Sequence, residues 1–327
     1  MRSSPELETT LIGEDLVRKF GDFAAVDGIS FEVHRGEIFG FLGPNGSGKT
    51  TTIRMLLGLL PPSSGFMEVL GISVKQHPEQ IRPQVGYMAQ QFSLYRDLTA
   101  VQNLRFHGTA YGLANRELER RIQETIELTG LHGRQQVRAH ELSGGWRQRL
   151  ALGAAIMHQP QVLFLDEPTA GVDPLSRRAF WELLYDQAAA GVTVFVTTHY
   201  MEEAEHCHRL AFIRQGKIIA SGSPSKLKAS ILQGEVLELA PSNAAEAVRI
   251  LRQSPIHEKF ELEEIEMFGS LVHLIGPNIR KRKRAIMREL KRAGLDPGRA
   301  EIVEPSLEDV FIARMRSAER DDARRPE

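Results

Sequence analysis

Cysteine is almost missing from this chain: 327 residues hold one, Cys207. A lone thiol excludes an intramolecular disulfide, fits a reducing compartment, and reads as a partly buried, inert side chain. Neither charge sign is in excess. Lys and Arg number 41 against 42 Asp and Glu, a formal net charge of −1, so bulk basicity gives no argument for nucleic acid. No apolar run approaches the roughly 18 residues of a membrane-spanning helix. The opening "MRSSPELETTLIGEDL" lacks the apolar core of a signal peptide. The chain is therefore expected to carry no transmembrane segment of its own and to serve a membrane, if at all, through another chain. The histidines, "EEAEHCH" included, show no metal-ligand spacing. What remains is an ordinary globular composition, 42% hydrophobic and 25% charged, long enough for roughly two domains.

The first part of the chain alternates strand and helix signals. "LIGEDLVRKFGDFAAVDGISFEV" reads as strands with turns at Gly21 and Asp27-Gly28. "EIFGFLG" is a candidate buried strand, and "GKTTTIRMLLGLL" a helix stopped by Pro61-Pro62. "VGYMAQ" is another strand, and Ala100 to Gly130 is helical. "QVLFLDEP" and "GVTVFVTTH" are strands buried on both faces, as in a parallel sheet. This order predicts an α/β core. A turn-rich stretch, Ile219 to Ser230, marks a boundary. Beyond it, strand Val236–Leu239, helix Ala244–Gln253, strands Phe260–Met267 and Leu271–Ile275, helix Lys281–Ala293 and strand Glu301–Val303 predict a small α+β ferredoxin-like domain. A short helix follows at "SLEDVFIARM", and the charged "AERDDARRPE" is expected to lack structure.

Two stretches point to phosphate chemistry. "GPNGSGKT", Gly43 to Thr50, fits G-x-x-x-x-G-K-[ST] between a strand and a helix. Glycines let backbone N–H groups turn inward on phosphate oxygens, and the helix adds its positive end. Lys49 supplies a cation to the β/γ-phosphates and Thr50 a hydroxyl to Mg²⁺. "VLFLDEP" ends a strand in Asp166 and Glu167, at the edge where open α/β sheets bind ligands. Asp166 is the candidate Mg²⁺ holder, through water, and Glu167 the candidate base for an attacking water. A third stretch, "ELSGGWRQRLALGAAIM", opens a helix with Ser143, Gly144 and Gly145. Two glycines there are unfavourable for a helix unless an anion approaches the outward N–H groups.

Together "GPNGSGKTT", "VGYMAQ", "LSGGW", "VLFLDEP", "AGVD" and "VTTH" resemble, in order and spacing, the ATP-binding subunit of an ABC transporter, from Leu11 to Lys228. The resemblance implies a P-loop ABC nucleotide-binding domain with a RecA-like core, an antiparallel β-subdomain and a helical subdomain, followed by the small domain. Its expected divisions are a flexible 1–10, a cassette 11–230, an accessory domain 235–315 and a disordered tail 316–327. It implies ATP and Mg²⁺ as ligands. Gly43, Asn45, Gly46, Ser47, Gly48, Lys49, Thr50 and Thr51 would hold the nucleotide, and Phe20 would stack on adenine. Gln90 would touch Mg²⁺, beside Thr50 and Asp166, and the attacking water. His199 would contact the γ-phosphate, with Gln90 and Glu167 completing the catalytic set. Ser143, Gly144 and Gly145 would bind the γ-phosphate held by a second copy or a homologous cassette, and Asp173 would cross that interface. The usual family residue after the two glycines is Gln; Trp146 is read as a packing variant near the ribose edge of the partner's nucleotide.

"EPSLEDVFIARM", Glu304 to Met315, resembles the closing motif of ABC-2 exporter ATPases. That class implies separate transmembrane permease subunits and a peripheral place on the cytoplasmic face of the inner or plasma membrane. In "QFSLYRDLT", Phe92, Leu94 and Tyr95 form an apolar loop cluster that either docks the permease or packs beneath the helical arm. The alternative is a soluble ABC ATPase acting on ribosomes or DNA, but one cassette without a coiled-coil insertion is unlike those members. A P-loop kinase would not explain "LSGG" or "VTTH". The basic run "IRKRKRAIMRELKR" is expected to be a helix with a solvated basic face rather than a lipid or nucleic-acid contact.

Overall fold

The computed structural model describes residues 8–90, 93–231 and 236–323. Two long strands, β1 (Thr9–Phe20) and β2 (Phe23–His34), form an antiparallel hairpin. A short strand, β3 (Ile38–Leu42), runs into the Gly-rich loop, and α1 (Lys49–Leu56) leaves it. β4 (Ser64–Val69) and β5 (Ile72–Ser73) extend the hairpin into a sheet of order β2-β1-β4-β5. One turn, α2 (Pro78–Ile81), precedes β6 (Val85–Met88). Three helices follow: α3 (Ala100–Ala110), α4 (Asn115–Thr129) and α5 (Gly144–Ile156). The chain then alternates through β7 (Val162–Asp166), α6 (Pro174–Ala189), β8 (Thr193–Thr198), α7 (Met201–Ala204), β9 (Arg209–Arg214) and β10 (Lys217–Gly222).

Every residue of β3, β7 and β8 is buried, which suits a parallel sheet covered on both faces. They lie centrally in a sheet of order β10-β9-β3-β8-β7-β6. The pairs β6/β7, β7/β8, β8/β3 and β3/β9 are parallel. Leu42 therefore stands opposite Thr198, and Asp166 opposite Thr197. The phosphate loop and the carboxylates share one sheet edge. Phe39, Phe41 and Phe195 are fully buried beside Phe31, and burying each such ring contributes about 1.5–3 kcal/mol. The helical section has its own core around Leu104, Ile122, Ile126, Leu142, Leu150 and Met157. There α3 begins with a Thr99–Gln102 capping box, and α4 stops at Gly130 with φ 67°.

By its contacts the chain divides into Met1–Ser221 and Gly222–Glu327. The second unit opens with α8 (Pro224–Ile231), then β11 (Val236–Ala240), α9 (Ala244–Leu251) and α10 (Ser254–Phe260). It continues through β12 (Glu264–Phe268), β13 (Leu271–Ile275), α11 (Ile279–Arg292), β14 (Arg299–Val303) and α12 (Leu307–Ala323). The sheet order is β12-β13-β11-β14 with antiparallel pairs, the ferredoxin-like arrangement expected from the pattern of elements. Four details differ from expectation. α8 belongs by its contacts to the second unit, not to a cassette running to residue 230. Phe260 ends a helix that starts at Ser254, with Pro255 in its first turn, so β12 begins only at Glu264. The charged segment 316–323, expected to be disordered, continues α12. β1 begins at Thr9, inside the stretch 1–10 expected to be flexible, because Thr9 pairs with His34.

Candidate active site

The loop between β3 and α1 is tight enough to demand its glycines. A Cβ at Gly43 would lie 2.2 Å from the Ile213 carbonyl oxygen, and one at Gly48, whose φ is 111°, would lie 2.5 Å from that of Ala25. Lys49 is buried, and its Nζ donates to the carbonyls of Gly43 at 2.8 Å and Pro44 at 3.1 Å. The ammonium thus folds back over the loop. Ser47 Oγ is buried without a hydrogen-bond partner. Asn45 and Gly46 are exposed, and Thr50 and Thr51 half-buried, at the mouth of the loop.

The neighbouring carboxylates have different surroundings. Asp166 Oδ1 accepts the Thr197 hydroxyl at 2.6 Å. Glu167 adopts φ 49°, a left-handed conformation costing on the order of 1–2 kcal/mol for a residue with a side chain. Its N–H is held by the Thr197 carbonyl and hydroxyl, both at 3.1 Å. Three groups from separate segments converge on its carboxylate. Lys49 Nζ lies 3.0 Å from Oε1, Gln90 Nε2 donates to Oε2 at 2.9 Å, and His199 Nδ1 lies 3.1 Å from Oε2.

Of these residues Lys49, Gln90 and Glu167 line a cleft of about 460 Å³, with Phe20, Phe23 and Asn45 among others, within the size range of small-molecule sites; Asp166 and His199 lie beside Glu167 rather than on the cleft wall. Phe20 is 49% exposed, not core, and the Arg18 guanidinium lies 4.6 Å from its ring centre. Phe23, its cross-strand neighbour, was not singled out in the sequence. Its signal was a second aromatic across a two-residue turn. No cluster of three or more His, Cys, Asp or Glu side chains among the described residues could hold a metal by itself. The oxygen donors of Thr50, Gln90 and Asp166 fit Mg²⁺, a hard cation usually completed by substrate phosphates and water.

Ser143, Gly144, Gly145 and Asp173 form a second cluster, and none of them lines that cleft. Ser143 is the exposed N-cap of α5, and its hydroxyl makes no capping bond. A Cβ on Gly145 would lie 2.5 Å from Ser176 Oγ, so the first turns of α5 and α6 touch. Asp173 caps α6, accepting Ser176 N–H at 2.9 Å. That backbone bond, with others beside it, holds its carboxyl below the usual range. Gln148, also missed in the sequence, donates to the Pro168 carbonyl and ties α5 to the Glu167 segment. Trp146 packs within its own helical section, as expected of a packing variant. The guanidinium groups of Arg134 and Arg149 lie 3.9 Å and 4.9 Å from its ring centre, and the ring packs against the helical core. Stacked cations take up the indole within its own helical section. Of the apolar loop residues, Phe92 lies outside the described residues. Leu94 packs on the helical core, while exposed Tyr95 meets Phe106 edge-on at 4.4 Å. Cys207 is buried, which pushes its thiol pKa up.

A Gly-rich loop folded around a buried lysine, facing paired carboxylates at the end of a parallel sheet, defines a P-loop nucleotide-binding cassette. Residues 26–170 match the ABC transporter family. The chain is 51% identical over 228 residues to the probable multidrug ABC transporter ATP-binding protein YbhF of Escherichia coli, covering 70% of this chain and only 39% of that protein. It is 38% identical over 301 residues to the Nod factor export ATP-binding protein I of Paraburkholderia xenovorans, covering 91% and 94% of the two chains. It is 35% identical over 304 residues to the linearmycin resistance ATP-binding protein LnrL of Bacillus subtilis, covering 92% and 97%. A solved ATP-binding subunit of an ABC transporter superposes with a TM-score of 0.61 at 30% identity, over 68% of this chain and 93% of that one. The chain belongs to the ABC transporter family of ATP-binding subunits, whose cassette hydrolyses ATP. No helix among the described residues is long and apolar enough to cross a membrane.

Proposed function

We propose that this chain is the ATP-hydrolysing subunit of an exporter-type ABC transporter, acting with Mg²⁺, a second cassette and a separate membrane permease at the cytoplasmic face of the membrane. The observation that carries the reading is the convergence of Lys49, Gln90 and His199 on the one carboxylate of Glu167. The names of full-length relatives, for Nod factor export and linearmycin resistance, support export.

Backbone N–H groups of the loop from Gly43 to Thr51, with Asn45, Gly46, Ser47 and Gly48 between, would cradle the phosphates, and the exposed face of Phe20 would receive adenine. A γ-phosphate would compete with Glu167 for Lys49 and for the N–H of His199, leaving the carboxylate to Gln90. Glu167 then takes the proton of the attacking water, while His199 donates toward the γ-phosphate. Mg²⁺, held by Thr50, Gln90 and Asp166, would neutralise phosphate charge. Ser143, Gly144, Gly145 and Asp173, which do not line their own chain's cleft, would serve the nucleotide of the second cassette. The groove lined by Tyr87, Ser93, Leu94, His107, Tyr111 and Ala151 would receive the permease. The unit after Gly222 is accessory in this reading, since every nucleotide residue precedes it.

Glu167→Gln keeps the shape and removes the base. Turnover should fall by about 100-fold or more, about 2.7 kcal/mol of barrier, with nucleotide still bound after gel filtration. Near-normal turnover would overturn the assignment.

A further inference from the structure

Glu203 has no part in the reaction outlined above, yet it is a carboxylate at 1% exposure in the single turn that follows His199 and Tyr200. It accepts the Thr169 hydroxyl, and Arg177 Nε lies 3.5 Å from the same oxygen. Arg177 in turn donates to the Val172 carbonyl at 3.3 Å and to Glu202 at 3.4 Å, with its guanidinium 4.7 Å from the Tyr200 ring centre. One buried carboxylate therefore holds the segment from Glu167 to Asp173 at two points, directly at Thr169 and through Arg177 at Val172. It fixes that segment to the one carrying His199.

We propose that Glu203 is a positioning residue for ATP hydrolysis, keeping the Glu167 carboxylate and the interface residue Asp173 in register with His199. The inference rests on the roles of Glu167, Asp173 and His199 proposed above.

The charge of Glu203 is costly, which argues against mere packing. Burial pushes its carboxyl up to about 7, against the pull of Thr198 and Arg177 and with a further push from Glu167 and Glu202; the Cys207 thiol also lies in its field. The folded value stands above the ordinary value of about 4.3. This proton-linked stability is present below that value and lost as pH rises through about 7. An amide at this position would avoid the loss, so the carboxylate stands there at the expense of stability, as at other sites where activity and stability conflict.

The test uses the full chain as wild type, Glu203→Gln, Thr169→Val and Thr169→Ser. Turnover and nucleotide affinity are measured separately, with Tm at about pH 5 and about pH 8 on either side of the titration. Glu203→Gln should gain Tm relative to wild type between the two pH values. At the higher pH its turnover should fall about tenfold, about 1.4 kcal/mol of barrier, with affinity held within about twofold. Thr169→Val should lose turnover in the same way, and Thr169→Ser should recover most of it. Loss of turnover matched by loss of affinity and of Tm would overturn the proposal in favour of a structural role, as would unchanged turnover in Glu203→Gln. A wild-type chain that binds nucleotide without hydrolysing it would instead overturn the reading beneath, and this inference with it.

Discussion

At Lys49 and again at Ser143 a glycine run opens a helix, but the two ends are built differently. The first is packed: Lys49 is buried, the carbonyls of Gly43 and Pro44 hold its ammonium, and Glu167 neutralises it. The second is open. Ser143 is exposed with an uncommitted hydroxyl, and the touching helix is capped by the acidic Asp173. A helix end without its own bound partner supplies N–H groups and a partial positive charge, worth about 0.3–1 kcal/mol at an exposed position. That is too little to hold a polyphosphate alone, and enough to recognise one presented by another surface.

The largest effects should separate these ends. Lys49→Ala should lower nucleotide affinity by about 100-fold, about 2.7 kcal/mol, and abolish turnover with it. Ser143→Arg should abolish turnover by blocking closure while affinity, measured by titration of the chain with nucleotide, stays within a few-fold. Equal losses of affinity in the two variants would erase the distinction.

Next in size is the base platform. Phe20→Ala should weaken ATP binding by about tenfold, within the ~1–3 kcal/mol of base stacking, and Phe23→Ala by less. Neither should change the affinity for inorganic tripolyphosphate, which has no base to stack. A parallel loss for tripolyphosphate would move both rings from the platform to the support of the loop.

The cassette was legible because its chemistry is written in contiguous stretches: glycines that only a close backbone needs, and carboxylates at the end of a four-residue apolar run. The partners of those groups were less visible. Gln148 reaches Pro168, and Glu203 reaches Thr169, across separations that no local pattern encodes. The second unit shows the opposite case. No catalytic motif marks it, yet alternation and helix periodicity predicted its order of strands and helices along the chain, because each element buries one face against a single core. The helix at Pro255 was missed since a seven-residue helix gives too few turns to show a period.

That second unit also carries a charge cluster unlike the catalytic one. His273 lies 3.1 Å from Asp309 and 3.0 Å from Glu238. The bond to Asp309, with that to Glu238, raises its pKa against burial. Its contribution is present below the ordinary histidine value of about 6.5 and lost as pH rises through the higher folded value. In wild type the unfolding temperature of this unit should drop over that window, and His273→Asn should flatten the drop. A slope unchanged in the variant would assign the titration elsewhere.

The smallest effect on turnover is expected at Trp146, the residue after the two glycines. Its ring is held by Arg134 and Arg149 and against Leu-rich helical packing, where each cation contributes about 0.5–1 kcal/mol. Trp146→Gln should therefore destabilise the helical section by about 1–2 kcal/mol. The backbone N–H groups and the Ser143 hydroxyl stay in place, so ATP turnover should change by less than about tenfold, under about 1.4 kcal/mol of barrier. The comparison is steady-state turnover against Ser143→Arg, with unfolding followed on the same samples. If Trp146→Gln falls as far as Ser143→Arg while remaining folded, the indole itself belongs to the nucleotide surface. The open end of the cassette would then present an aromatic ring as well as a helix terminus to the partner's nucleotide.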